Sequence, residues 1–123
     1  MSQPESKLSR DIMTALRARG VFCFKVHGGP TMMAGLPDII ACVPTSECPC
    51  QRATCRHTNR KHRGLFVGFE TKTPSGKEPT PIQHRVHFKI GQAYGRVFVV
   101  RSVQDAVAAL RGMGVTTPPD NTD

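Results

Sequence analysis

At 123 residues the chain is long enough for one domain, which on general scaling buries roughly two-thirds of its unfolded surface, and too short for two. Hydrophobic residues make up 38% and charged residues 21%, and no apolar run approaches the ~20 residues of a membrane helix, so a soluble globular protein that does not span a bilayer is expected. Seventeen Lys and Arg against nine Asp and Glu give a net charge of +8, which favours a polyanionic partner, nucleic acid first.

The opening residues, 1–7, are polar and carry neither the hydrophobic core of a secretory signal nor an Arg/Ser-rich presequence, so the expected location is cytoplasmic. Leu8, Ile12, Ala15 and Leu16 recur at helical spacing, with Arg10, Arg17 and Arg19 on other faces. The pattern predicts an amphipathic helix stopped at Gly20. Residues 21–26 are rich in β-branched and aromatic side chains and read as a strand ended by Gly28, Gly29 and Pro30. Residues 38–43 and 65–72 read as two further apolar strands, separated by a polar segment, about 44–64, that looks inserted.

A turn cluster at 74–79 precedes Thr80, Pro81 and Gln83, which match a capping box with proline at the first helical position. The helix that follows carries apolar residues at 82, 86, 90 and 93 and ends at Gly95. Residues 96–101 return to strand character, and Ser102 and Asp105 open a last helix that buries Val103, Ala106, Val107 and Leu110. The polar end from Gly112, with Pro118 and Pro119, is expected to fray; the domain thus covers 1–112 and the tail 113–123. The connection from the third strand to the fourth passes through a helix and can set those strands parallel, giving a mixed α/β sheet flanked by helices.

Asp38 follows Gly35, Leu36 and Pro37 and stands at the first residue of an apolar strand. Glu70 and Lys72, two apart on another strand, project from one face, with Gly68 leaving open space beside them. Two carboxylates from adjacent strands can hold Mg²⁺, and a nearby lysine can orient or help deprotonate the attacking water, which is equipment for phosphodiester hydrolysis. The plain alternative is a surface salt bridge between Glu70 and Lys72, with Asp38 capping a turn.

The series Gly35-Leu36-Pro37-Asp38, Glu70-Thr71-Lys72, Gly76 and Gln83 resembles the motifs of the virus-type replication-repair nuclease family, VRR-NUC, within the PD-(D/E)XK superfamily. The likeness runs from Glu5 to about Leu110. It implies a restriction-endonuclease-like fold and a metal-dependent DNA endonuclease selective for junction or flap structures. It also implies Asp38 and Glu70 as ligands of Mg²⁺ or Mn²⁺, joined by Glu5 on the first helix and the Thr71 backbone carbonyl. Lys72 becomes the catalytic lysine and Gln83 a helper on the following helix. Stand-alone members resemble minimal dimeric nucleases, which implies a homodimer. Glu5 and Gln83 also have bland readings, since each closes a capping-box pattern with Ser2 or Thr80.

The chain departs from the compact family pattern in the insert. Three of its five cysteines fall within eight residues, too close for a secreted disulfide framework. Cys48, Cys50 and Cys55 with His62, or with His57, make a candidate Cys₃His site for structural Zn²⁺ in a segment that has almost no apolar residues of its own. Cys23 and Cys42, within apolar strands, are expected to be inert core thiols. Arg52, Arg56, Arg60, Lys61 and Arg63 form a basic arm suited to gripping DNA phosphates, with Lys25 as a further candidate from a neighbouring strand. The alternative to an enzyme is a catalytically silent zinc-containing nucleic-acid-binding module.

Overall fold

The computed structural model describes residues 4–29, 32–45 and 63–115, the side chains of residues 4, 5 and 63 excepted. In chain order the elements are α1 (Pro4–Arg17), β1 (Phe22–Lys25), β2 (Ile39–Thr45), β3 (Arg63–Thr71), α2 (Pro81–Gln92), β4 (Arg96–Val100) and α3 (Val103–Gly112). The four strands form one sheet in the order β1-β2-β3-β4, antiparallel except for the last pair. The α2 crossover thus sets β3 and β4 parallel, as the element order predicts. No helix among the described residues is long and apolar enough to cross a membrane.

The core lies on one face of the sheet. Ile39, Ala41 and Val43 of β2 and Leu65, Val67 and Phe69 of β3 meet Ile12 and Leu16 of α1 and Ala106 and Leu110 of α3. The period of two along each strand makes these alternate residues one apolar surface. On α1 the buried face runs through Ser9, Ile12, Met13 and Leu16, so a serine occupies a core position. Met13 replaces Ala15 in the predicted stripe.

Among the described residues, α2 and the loop before β2 cover part of the opposite face. Residues directly paired across a ladder share a face, so Phe22, Cys42 and Phe66 stand together, as do Phe24, Ile40 and Gly68. Phe22, Phe24 and Phe66 are exposed there. Cys42 is exposed as well, which corrects its assignment as a core thiol: along β2 the alternate residues Ile39, Ala41 and Val43 are buried and Cys42 stands on the other face. Cys23 on the core side is buried, and that burial raises its thiol pKa despite Arg17 beside it. In α2, Val86 is buried, whereas Ile82, expected on the buried stripe, is half exposed. Ile82 packs beside Gly35 of the loop before β2 instead.

Two boundaries move. β2 and β3 pair out to Thr45 and Arg63, so the ladder takes in Pro44 and Gly64, which the sequence reading gave to the insert. Past α3, Met113 and Val115 are buried in the core, and Thr45 donates its hydroxyl to the Met113 carbonyl at 2.7 Å. The chain is therefore held for three residues beyond Gly112, where fraying was expected.

Candidate active site

The stretch from Gly35 to Asp38 is built to deliver its last residue. Gly35 has φ +86° and packs so closely on the start of α2 that an added Cβ would lie 2.8 Å from the Ile82 carbonyl oxygen. Pro37 is buried, and its ring occupies the space above Gly68, where a Cβ would collide with it. The gap expected beside Glu70 is thus not open; Gly68 is small because Pro37 fills the place of its side chain. Asp38 then enters the sheet, its carbonyl accepting from Val26 N–H at 2.7 Å, one step before the Ile39–Phe69 pair. Continuing that register sets Asp38 opposite Glu70.

Asp38 Oδ2 accepts two hydrogen bonds from Thr71, one from the backbone N–H and one from the hydroxyl, each at 2.9 Å. Glu70 is 1% exposed, which excludes a surface salt bridge as its role. A carboxylate withdrawn from water is costly unless hydrogen-bonded, and α2 provides the bonds. Gln83 Nε2 donates to Glu70 Oε2 at 3.1 Å, and His87 Nε2 lies 3.2 Å from Glu70 Oε1.

Gln83 serves two purposes at once. Its Oε1 accepts from the Thr80 backbone N–H at 2.8 Å while Thr80 accepts from the Gln83 N–H, completing the predicted capping box. The same Oε1 lies 3.5 Å from Lys72 Nζ. The cap therefore fixes which end of the amide is oxygen, and the NH₂ end is left for Glu70. The helix start that the sequence signals also sets the orientation of a polar group in the site.

His87 was not foreseen. It stands one turn beyond Gln83, so the spacing of four on a helix already places both on one face. Burial pushes the His87 imidazole below its ordinary pKa, with His84 and Lys72 acting in the same direction and Asp38 against them. Its ring is neutral at neutral pH and can donate its single N–H to Glu70. Behind Asp38 the unforeseen Ser9 takes part, its Oγ 3.1 Å from Thr71 Oγ1, and Lys25, a candidate phosphate contact from the sequence, donates from Nζ to Ser9 Oγ at 3.4 Å.

Asp38, Glu70, Lys72 and Gln83 are thus brought together from three places in the chain: the start of β2, the end of β3 and the first turn of α2. Gly76 lies in the turn after Lys72, its N–H donating to Thr73 O at 2.8 Å. Glu5 stands in the first turn of α1, and the assignment of its side chain falls outside the described part. So do the residues expected from the sequence to bind zinc, Cys48, Cys50, Cys55 and His62 or His57, the cations Arg52, Arg56, Arg60 and Lys61, and the side chain of Arg63. Among the described residues no group of three or more His, Cys, Asp and Glu is arranged to hold a metal. No protein-family model matches this chain, and no curated protein matches its sequence.

Proposed function

We propose that the protein is a Mg²⁺- or Mn²⁺-dependent nuclease that hydrolyses DNA phosphodiesters at Asp38, Glu70 and Lys72, selective for junction or flap structures in replication, recombination or repair. The observation that carries the reading is the Gln83 amide, which joins buried Glu70 to Lys72 at the strand end where Asp38 is clamped. These residues coincide with the motif series that resembles the VRR-NUC family. Two carboxylates at facing positions suit Mg²⁺, which takes one or two carboxylates and completes its shell with waters and phosphate oxygens, so a third acidic or imidazole ligand is not required. Bound there, Mg²⁺ would stabilise negative charge on the phosphoryl oxygens and acidify the attacking water.

The chain's own groups account for the rest. Asp38 and Glu70 would hold the cation, with Glu5 and the Thr71 carbonyl as the further ligands that the resemblance implies. Lys72 brings a positive charge and donors to the phosphate and the attacking water, and Gln83 restrains that ammonium through its oxygen. His87 and Gln83 keep the Glu70 carboxylate in one orientation. Saturable binding of one Mn²⁺ per chain, lost in Glu70→Gln, is the expected result of a titration followed by electron paramagnetic resonance. Equal binding by both proteins would remove the basis of the assignment.

The segment between β2 and β3 would add DNA contacts and a structural zinc. Its anchor points, Thr45 and Arg63, are paired at the end of the ladder away from Asp38. Seven residues of β2 separate that end from the site, about 23 Å at ~3.3 Å per residue. Contacts made near these anchors would fall about seven phosphate spacings from the cut. Neutralising Arg56, Arg60 and Lys61 together should weaken DNA binding across sequences and flatten its salt dependence, each lost contact lowering the log–log slope by about 0.9. An unchanged slope in the folded triple variant would exclude the arm. Purified protein should carry about one zinc per chain by elemental analysis. Protein purified without chelator, with reduced cysteines and no zinc, would contradict this.

A homodimer is part of the proposal. β1 is an edge strand, and Phe22 and Phe24, with ring centroids 6.1 Å apart, extend an exposed apolar face through to Phe66. A second copy can cover that face with its own, and apolar patches of this kind mark association surfaces.

A further inference from the structure

We infer that Lys25, Ser9 and Thr71 form a one-way hydrogen-bond relay that holds Asp38 in a single orientation, with Ser9 and Thr71 as positioning residues and Lys25 as the anchor of the chain. The inference rests on the reading of Asp38 as a metal ligand. Its elements come from four places: Lys25 ends β1, Ser9 lies on α1, Thr71 ends β3, and Asp38 precedes β2.

The direction of the relay follows from its ends. A lysine ammonium has donors only, and an ionised carboxylate accepts only. Thr71 must spend its hydroxyl proton on Asp38 Oδ2, at 2.9 Å, which leaves only lone pairs for Ser9. Ser9 must then donate to Thr71, at 3.1 Å, and accept from Lys25, at 3.4 Å. Each hydroxyl donates once and accepts once, all in the sense from cation to anion. Ser9 is 1% exposed and Thr71 0%, so the bond between them lies in a low-dielectric interior, with the bonds to Lys25 and Asp38 part-buried on either side.

Packing alone does not call for these hydroxyls. Ser9 occupies a position on the buried stripe of α1 shared with Ile12, Met13 and Leu16, where an apolar residue would satisfy the core. Its hydroxyl gains meaning from Thr71. Together with the Thr71 backbone N–H, the relay occupies Oδ2 of Asp38, while no described residue hydrogen-bonds to Oδ1. One oxygen is fixed and the other is kept for a ligand, the arrangement by which outer groups orient a metal-binding carboxylate. Lys25, which the sequence offers as a solvated strand lysine or a candidate phosphate contact, is directed instead to Asp38 through two hydroxyls.

The test is a Mn²⁺ titration of the full chain without DNA. Thr71→Val keeps the shape and the backbone N–H but removes the hydroxyl, and should lower affinity about 10- to 100-fold, whereas Thr71→Ser should restore it. Lys25→Met should weaken Mn²⁺ binding in the wild-type background and have no further effect in Thr71→Val, because the relay is already cut. Ser9→Ala gives the same comparison should Thr71→Val fail to fold. Unchanged affinity in Thr71→Val, or a Lys25→Met effect of equal size in both backgrounds, would overturn the relay. A wild type without saturable Mn²⁺ binding would overturn the metal assignment instead. The relay is then read in metal-free protein from the amide proton of Thr71, which donates to Asp38: a shift in Lys25→Met upholds it, and an unmoved resonance rejects it.

Discussion

Asp38→Asn, Glu70→Gln and Lys72→Ala should each lower DNA cleavage by at least about 10²-fold while leaving a folded, DNA-binding protein. The first two remove one negative charge from the facing pair that would hold the cation. Glu70→Gln is nearly isosteric, and the buried site can accept it: the neutral His87 ring can change tautomer and receive a hydrogen bond from the new amide. Lys72→Ala removes the ammonium beside Gln83 without disturbing the Thr80–Gln83 cap. Gln83→Ala should cost less activity, together with about 1 kcal/mol of stability from the lost box. Single-turnover cleavage of labelled DNA measures all four. Near-wild-type rates in contaminant-free Glu70→Gln or Lys72→Ala would reject the site.

Gly35→Ala is expected to be the most damaging small substitution outside the polar cluster. The backbone at φ +86° disfavours any side chain, and the new Cβ would lie 2.7 Å from Ile82 Cγ2, 2.8 Å from Ile82 O and 2.9 Å from Val86 Cγ2. A backbone oxygen cannot rotate away, so α2 and the loop before β2 would have to separate. Backbone strain and overpacking together amount to about 2–4 kcal/mol, a large share of the roughly 5–15 kcal/mol typical of a whole domain. Gly28→Ala and Gly29→Ala serve as controls, since a Cβ at either would meet nothing within 4 Å. Thermal unfolding should separate Gly35→Ala from both controls by many degrees. Equal midpoints would mean that Gly35 does not carry the packing of this loop on α2.

Local chemistry made much of the fold legible. The Thr80–Pro81–Gln83 cap, the apolar strands and the crossover between β3 and β4 each have a short-range signature, and the structure realises them. The convergence of Asp38, Glu70, Lys72 and Gln83 was legible through the order of the motifs. What escaped depends on which surfaces meet. An apolar run does not say whether both faces of its strand are covered, so Cys42 was assigned to a core that lies on the other face. The helical spacing of Ile82 and Val86 does not reveal that only the second of them is buried. Gly68 suggested open space because the partner that fills it, Pro37, comes from a distant loop. Ser9 and His87 carried faint signals, a polar residue on an apolar helical stripe and a histidine four residues after Gln83. Neither says what it will meet until the helices are docked.

The measurement closest to the central claim is cleavage of linear, flap and four-way DNA by the purified wild-type protein, with Mg²⁺ and with EDTA. The expected result is cleavage with Mg²⁺, faster on flap or four-way DNA than on linear duplex, arrest by EDTA, and binding without comparable turnover in Ca²⁺, whose looser shell orients the reactants less strictly. No cleavage of any substrate with Mg²⁺ or Mn²⁺ by folded, DNA-binding protein, or cleavage that persists in EDTA, would contradict it.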